Sequence, residues 1–523
     1  MALERLSQIT ESGIKTGITI SNASVTGVFT AVNELKVGTG VTINSGIITA
    51  TGGFVGNLTG NVSATGASTF GGSTFSDNVG IKTTSATKTL DVRGDTQVAD
   101  LYYTADYPTI RPSLDLVFDK VKRLDSRVTF TRTSTATYVG TDGLIKTAAA
   151  NEPRFDHDPA TGESLGLLIE ESRTNIALYS EQFDNNANWT KTTGTTVVSN
   201  ATTAPDGNLT ADRIIYDGSG TAGNYRIYTG GTTSVLNQSY TASVWLKADS
   251  NVTVRIYGNS VAGPFVTCNL TTQWQRFSTS GTGNGVSSIQ LLVYSASSDN
   301  TAISFYMWGA QLEAGSFPTS YIPTTGSTVT RAVESASITG TNFTDFYNPN
   351  EFTLYGEGRS ITKGVSTSTD NYALVSIDDG TNNNRFILRR TSDYYQNTTN
   401  QSGFTFRYRR SSINLDLDAF PPSIDSTGNL PEWKDSEIHK MVFAINNDGS
   451  SPHDISAYGD GISADFANTG NDYTGNEVLT PYTAATQMRL GIGGSSGYWN
   501  GHISRITYYP RRLNNSQLQN ITL

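Results

Sequence analysis

Between Lys36 and Asp77 the chain carries no charged residue and consists of short β-branched pieces separated by Gly or Asn. Its central part, residues 56–75, is GNLTGNVSATGASTFGGSTF. Each piece is too short to bury a core within one chain, because an isolated hairpin of this size is marginally stable at best. The region therefore folds only if something outside the single chain supplies a partner.

The same region is too apolar for a solvated tether, since large apolar side chains recur along it: Ile43, Ile47, Ile48, Phe54, Val55, Leu58, Val62, Phe70 and Phe75. Winding three identical chains about one axis would give these side chains a shared interior and would pair the strand edges. We therefore predict an intertwined homotrimeric β shaft over residues 13–100, with a flexible linker as the alternative. Residues 1–12 are expected to form an attachment tip or a frayed end.

The composition of the 523 residues indicates an all-β protein. Only 36 % of residues are hydrophobic and 16 % are charged, while Thr, Ser, Gly and Asn are abundant. Thr and the aromatic residues favour pleated surfaces, and Gly and Asn favour turns. The net charge of −10 argues against nucleic acid as a partner, because an acidic protein repels phosphate backbones.

The sequence also limits where the protein is made. No apolar run is long enough to span a membrane, and the N-terminal MALERLSQIT is not typical of a signal peptide. The single Cys268 cannot form an internal disulfide. These features predict synthesis in a cytoplasm and no membrane insertion.

Two segments carry a specific resemblance to a known class of protein. NVGIKTTSATKTLDVRGD, Asn78 to Asp95, resembles segments of phage tail fibres near the end of a shaft. Arg111 to Ile176 resembles tail-fibre and virion structural proteins of marine tailed phages. The resemblance implies a virion appendage, and it says nothing about the receptor.

Two β-sandwiches are predicted after a β-rich adaptor over residues 101–169. The first, residues 170–327, contains cleanly alternating strands such as YTASVWLKA, VTVRIYG, SIQLLVY and AISFYMWGAQLE. Its opening and closing segments resemble jelly-roll, carbohydrate-binding-module-like domains. The second comprises residues 328–523. Its C-terminal segment resembles the last strands of concanavalin-A-like and laminin-G-like lectin folds, and Leu513 and Leu518 lie where the short helical end of those folds would be.

No motif indicates an enzyme. The four histidines have no metal-ligand or catalytic spacing, and no nucleophile elbow occurs. Glu170-Glu171 and Asp378-Asp379 are adjacent in sequence, and adjacent strand residues face opposite ways, so neither makes a good acid–base pair. A β-helical depolymerase is further disfavoured because no solenoid period is present.

No cofactor is expected. The one candidate is Ca²⁺, which takes carboxylate and carbonyl oxygens, at Asp454 and Asp460 in SPHDISAYGDGI. Solvated loop acids are the simpler interpretation of these two residues.

The aromatic residues are more informative. In the first sandwich, period-two alternation directs Val244, Leu246, Phe305 and Met307 into the core. The opposite face then carries a mixture that suits sugar, whose C–H faces stack on rings and whose hydroxyls bond polar groups: Trp245, Arg255, Tyr257, Tyr294, Tyr306 and Trp308. The alternative is that this face packs against another domain or a sister subunit. Further candidates in the second sandwich are Tyr394, Tyr395, Tyr498 and Trp499.

Together these features predict a non-enzymatic, homotrimeric phage tail fibre. Its N-terminus would hold another virion protein, and its sandwiches would recognise host-surface glycan. A structural whisker or decoration that binds only virion proteins is the main alternative, and a polysaccharide depolymerase is a weaker one.

Overall fold

The computed structural model describes two short strands at 79–81 and 90–92, residue 108, and the ranges 110–221, 225–259, 265–296, 300–360, 372–392, 402–410, 413–419, 437–447, 455–463, 465–466, 481–493 and 497–523. The chain divides into two compact units, Met1–Ala99 and Asp100–Leu523. In the first unit, β1 (Val79–Ile81) pairs in parallel with β2 (Leu90–Val92). The rest of the predicted shaft and the predicted tip over residues 1–12 lie outside the described residues.

The second unit opens with seven short strands, which precede the first sandwich in the chain: β3 (Leu114–Val117), β4 (Thr129–Thr131), β5 (Ala136–Val139), β6 (Ile145–Ala148), β7 (Arg154–His157), β8 (Ser164–Ile169) and β9 (Arg173–Asn175).

The first sandwich follows, built from strands distributed over two sheets: β10 (Trp189–Lys191), β11 (Thr195–Thr202), β12 (Ala211–Tyr216), β13 (Arg226–Thr229), β14 (Thr232–Thr233), β15 (Ser239–Lys247), β16 (Val252–Asn259), β17 (Val266–Leu270), β18 (Gln275–Thr282), β19 (Ser288–Ser295) and β20 (Ile303–Ala314). One sheet has the order β10-β13-β19-β16-β17, with β14 also paired to β19, and the other has the order β11-β12-β20-β15-β18. The residues predicted to point inwards, among them Val244, Leu246, Phe305 and Met307, are fully buried in the core between these sheets. The period-two prediction for this core is confirmed.

After the short strand β21 (Val329–Arg331), the second sandwich uses the remaining described strands: β22 (Ser335–Thr339), β23 (Glu351–Ser360), β24 (Ala373–Asp378), β25 (Asn384–Ser392), β26 (Ser402–Arg410), β27 (Ile413–Ala419), β28 (His439–Asn446), β29 (Ile455–Gly459), β30 (Ile462–Ser463), β31 (Asp465–Phe466), β32 (Gln487–Leu490) and β33 (Gly501–Tyr509). Two short helices accompany them, α1 (Thr341–Thr344) and α2 (Asn515–Thr522). Neither described helix is long and apolar enough to cross a membrane. The buried Leu513 lies two residues before α2 and the buried Leu518 lies within it, in line with the predicted helical end.

The predicted adaptor is not separate from the second sandwich. Strands β3 and β8 both pair with β33, β7 pairs with β8, and β4 pairs with β22. The reason is burial, because Leu114, Leu116, Leu167 and Ile169 are at most 2 % exposed and belong to the core cluster of the second sandwich. Residues 114–169 thus supply strands to both of its sheets.

The first sandwich is inserted into the second. The chain leaves the second sandwich after β8, forms β9, builds the first sandwich and returns as β21. β9 and β21 pair antiparallel, with Arg173 opposite Arg331 and Asn175 opposite Val329. The two ends of the inserted sandwich are therefore held side by side in one small ladder.

A buried charge network lies beside this ladder. We call it the arginine–glutamate network, formed by Arg132, Arg154, Glu170, Arg331 and Glu334, whose side chains are at most 1 % exposed. Glu334 accepts from Arg132 at 2.7 Å and from Arg154 at 2.5 Å. Glu170 pairs with Arg154 at 2.8 Å and with Arg331. Burial by itself would raise the pKa of Glu170, but Arg331 and Arg154 hold that pKa well below its usual range.

Candidate functional site

One face of the β10-β13-β19-β16-β17 sheet lies opposite the core of the first sandwich and carries aromatic and arginine side chains. In β19, Leu291 and Val293 are in the core, so the next residue, Tyr294, lies on the opposite face. The same alternation places two residues of β13, two of β16 and the residue before β17 on this face. We call this surface the aromatic–arginine face, formed by Arg226, Tyr228, Arg255, Tyr257, Phe265 and Tyr294.

Three of its rings form a cluster. The Tyr257 and Phe265 rings stack with centroids 4.7 Å apart and planes at 24°. The Tyr294 ring is 5.4 Å from Phe265 and 6.5 Å from Tyr257. Phe265 is 53 % exposed, an unusual state for a phenylalanine on a sheet. Leu292, which is 5 % exposed, lies between Tyr228 and Tyr257 in the sheet register and adds an apolar side chain to this face.

Two arginines flank Tyr294. In the sheet register Tyr294 lies opposite Arg226 of β13 on one side and opposite Arg255 of β16 on the other. The Arg226 guanidinium lies 5.6 Å from the centre of the Tyr228 ring, and Arg255 is exposed. Burial raises the pKa of Tyr294, while the charge of Arg226 acts against that rise. Arg226 is therefore close enough for its charge to act on the Tyr294 side chain and on a ligand that contacts the Tyr294 ring.

This arrangement can hold a ring-shaped polar ligand. An aromatic cluster at the surface offers apolar ring area for the C–H face of a sugar. Guanidinium groups at its sides donate forked hydrogen bonds to hydroxyl or carboxylate oxygens. The sheet holds these side chains on fixed strands, so little side-chain order has to be created on binding.

The six predicted contact residues of the first sandwich do not share one surface. Arg255, Tyr257 and Tyr294 lie on the β10-β13-β19-β16-β17 sheet, whereas Trp245, Tyr306 and Trp308 lie on the other sheet. Strand alternation places a residue inside or outside, but it does not say to which sheet the strand belongs. The two groups are on opposite sides of the sandwich and cannot contact the same sugar.

Trp308 is not a surface residue, contrary to the prediction. It is 1 % exposed, its ring lies 4.6 Å from that of Tyr321, and its indole N–H donates to Thr210. Trp245 is half-buried, with the Arg276 guanidinium 4.3 Å from its ring centre and the Trp308 ring 5.4 Å away. These tryptophans pack against other parts of the first sandwich itself, whereas the alternative interpretation placed another domain or a sister subunit against this face.

This packing predicts the effect of Trp308→Ala. Because a fully buried indole is lost, we expect the free energy of unfolding to fall by about 3 kcal/mol. Tyr306→Ala is the matched control, since Tyr306 is half-exposed on the same strand and should cost about 1 kcal/mol or less. Urea unfolding followed by fluorescence measures both. An unchanged midpoint for Trp308→Ala would show that this indole is not a packing residue.

The candidate contact residues of the second sandwich are buried, half-buried or outside the described residues. Tyr394, Tyr395 and Asp454 lie outside the described residues. Trp499 is fully buried and its indole N–H donates to the His502 carbonyl, so it cannot contact a ligand at the surface; Tyr498 is half-buried.

Asp460 already has partners for its carboxylate. One oxygen lies 2.8 Å from Nδ1 of His439, and the other accepts from the Lys440 backbone N–H at 2.8 Å. Within the described ranges, no group of three His, Cys, Asp or Glu residues is arranged to hold a metal ion. Ca²⁺ binding at Asp454 and Asp460 stays a prediction.

Sequence reasoning missed three members of the aromatic–arginine face. Arg226 and Tyr228 alternate with the buried Ile227, and the same period-two reading applied to β13 identifies them. Strand alternation could not identify Phe265 as a member of this face, because it follows Pro264 and lies directly before β17. Only the stacking of its ring on Tyr257 shows that it belongs there.

No protein-family model matches the chain, and no curated protein matches it. Among solved structures, it is similar to a structure described as "CBM4 structure and function", at 15 % identity over 26 % of this chain and 99 % of that one, with a TM-score of 0.21. The CBM40 of Ruminococcus gnavus IT-sialidase bound to α2,3-sialyllactose matches at 16 % identity over 35 % and 86 %, with a TM-score of 0.24. Domains LG4-5 of the mouse laminin α1 chain match at 9 % identity over 56 % and 92 %, with a TM-score of 0.18. These scores are too low to carry an argument, so the all-β assignment rests on the strands themselves.

Proposed function

We propose that the chain is a non-enzymatic tail fibre of a tailed phage that recognises its host by binding surface glycan on the aromatic–arginine face. The observation that carries this proposal is the exposed ring cluster of Tyr257, Phe265 and Tyr294 with an arginine on either side of Tyr294. A protein core does not need this arrangement, and a sugar ligand does. The tail-fibre resemblance of Asn78 to Asp95 and of Arg111 to Ile176 supports the phage assignment.

The rest of the proposal concerns assembly. Residues 13–100 wind into a trimeric shaft, and residues 1–12 attach it to another virion protein. Three copies of the aromatic–arginine face on one stalk then bind a polymeric glycan with avidity, although each site alone is weak. The fibre works on the virion, after synthesis in the host cytoplasm, with neither nucleic acid nor membrane insertion involved.

Two carboxylates considered for catalysis have structural partners, which supports a non-enzymatic role. Glu170 belongs to the buried arginine–glutamate network. Asp378 is fully buried, pairs with Arg489 at 2.8 Å and also accepts from Gln487. A carboxylate held by a charged partner away from solvent is poorly placed to exchange protons with a substrate.

Binding by the full-length protein to a glycan array and to host cells tests the proposal. We expect Tyr257→Ala and Tyr294→Ala each to weaken binding about fivefold per head, because one stacking contact is worth on the order of 1 kcal/mol. Tyr306→Ala is the matched control on the opposite sheet and should bind like the wild type.

Two results would contradict this function. Wild-type binding to cells by both face variants would remove the aromatic–arginine face from host recognition. Absence of glycan binding, together with tight binding to another virion protein, would instead support a structural whisker or decoration.

A further inference from the structure

All charged side chains in the strands of the sheet that carries the aromatic–arginine face are positive. Its strands β10, β13, β14, β16, β17 and β19 contain Lys191, Arg226 and Arg255 and no Asp or Glu. The whole chain, in contrast, has a net charge of −10. Lys191 follows the inward alternation of β10, opposite Ile227, and its ammonium bonds Asn186. The two arginines therefore set the charge of the outer face.

Neither arginine is neutralised by a described residue. Arg255 is exposed and forms no ion pair with any of them. Arg226 has a buried Nε that finds no hydrogen-bond partner in the described part of the chain, and its guanidinium lies against the Tyr228 ring. Since no described carboxylate offsets either guanidinium charge, an anionic ligand group at the surface would do so. The geometry thus favours a ligand with negative charge.

The placement of the two charges adds a second argument. Arg226 and Arg255 lie on strands that are both neighbours of β19, so they straddle Tyr294 at a separation of roughly 10 Å across the sheet. A sugar ring stacked on Tyr294 has one guanidinium on each side. Guanidinium pairs in a forked manner with carboxylate and with sulfate, which are the charged groups of acidic polysaccharides.

We infer that the ligand of the aromatic–arginine face is an acidic glycan rather than a neutral one. This inference rests on the proposed glycan-binding function and narrows it to a chemical class. Stacking on the rings provides sugar recognition, and the two guanidinium groups, which form no ion pair with the described residues, provide the preference for charge. Nucleic acid is another polyanion and is therefore included in the test as a competing ligand class.

The test is an array of matched oligosaccharide pairs probed with the full-length protein. Each pair has the same backbone with and without its charge, as uronate against its methyl ester and sulfated against desulfated chains; a single-stranded oligonucleotide is included as a polyanion. We expect binding to at least one acidic member to be about tenfold tighter than to its neutral counterpart, and to weaken as salt is raised.

The variants Arg226→Gln and Arg255→Gln keep polar groups but remove the charge. Each should lose about tenfold in affinity for the acidic member and change little towards the neutral one. Arg213→Gln is the matched control, because Arg213 lies in β12 of the opposite sheet and bonds Ser304. Thermal unfolding of all three variants separates a binding loss from a folding loss.

The outcomes separate the inference from the function on which it rests. Equal binding to both members of every pair, with loss of both in Tyr294→Ala, would overturn the acidic preference and leave glycan binding intact. Tighter binding to the oligonucleotide than to any glycan would overturn the choice of ligand class. Absence of binding to every glycan would overturn the preference and the proposed function together.

Discussion

A fragment that begins at residue 170 will unfold or aggregate at temperatures where a fragment that begins at Asp100 remains folded. The shorter fragment lacks β3, β4, β7 and β8, so β33 loses two partner strands and β22 loses one. It also lacks five large side chains of the second core: Leu114, Leu116, Phe118, Leu167 and Ile169. At about 2 kcal/mol for each, their loss amounts to roughly 10 kcal/mol.

That loss is comparable with the total stability of a typical domain, about 5–15 kcal/mol. The shorter fragment also leaves Glu334 buried without Arg132 and Arg154. Circular dichroism melts and size-exclusion chromatography of the two fragments measure the difference. Equal melting temperatures would mean that the adaptor strands are dispensable, contrary to their pairing with β33 and β22.

The substitution with the next largest expected effect is Glu334→Gln. Glu334 is the shared partner of Arg132 and Arg154, and the amide keeps its shape while removing its charge. Arg132 then keeps only carbonyl acceptors, among them Ser134 and Ala149. Breaking a buried ion pair from one side costs roughly 3–5 kcal/mol, because the remaining charge stays buried without compensation.

Asp142→Asn is the matched control for Glu334→Gln. Asp142 pairs with Lys146 at 2.8 Å, but both side chains are at least 40 % exposed. The same chemical change at the surface should therefore leave the unfolding midpoint nearly unchanged. Guanidinium unfolding at neutral pH measures both variants, and similar losses for the two would show that the arginine–glutamate network is not a special source of stability.

The alternation of single strands was predictable from the sequence, and the partners of those strands were not. Tyr240 to Leu246 alternates strictly, and its inward residues are those found in the core. The pairing of Leu168 with His502 joins residues that are far apart in the second unit, and the local sequence of neither strand predicts it. Sheet membership depends on such long-range pairs, so Trp308 and Tyr294 were assigned to one surface although they belong to two sheets.

The burial of Trp308 escaped prediction for the same physical reason. Its covering residues, Tyr321 and Ala204, come from loops before and after its own strand rather than from the alternation of that strand. Part of the aromatic–arginine face could be predicted from the sequence, because the alternation of single strands is enough to identify Arg255, Tyr257 and Tyr294.

The small ladder between β9 and β21 has a consequence for how such a chain can change over time. Paired residues there, such as Thr174 and Thr330, bring the entry and exit of the inserted sandwich to about 5 Å from each other. A foreign β module whose own ends are equally close could replace residues 176–328 while leaving both sheets of the second sandwich intact. The inserted sandwich, which carries the aromatic–arginine face, is thus an exchangeable module, and one recombination event that spans its two ends would give the chain a different surface there.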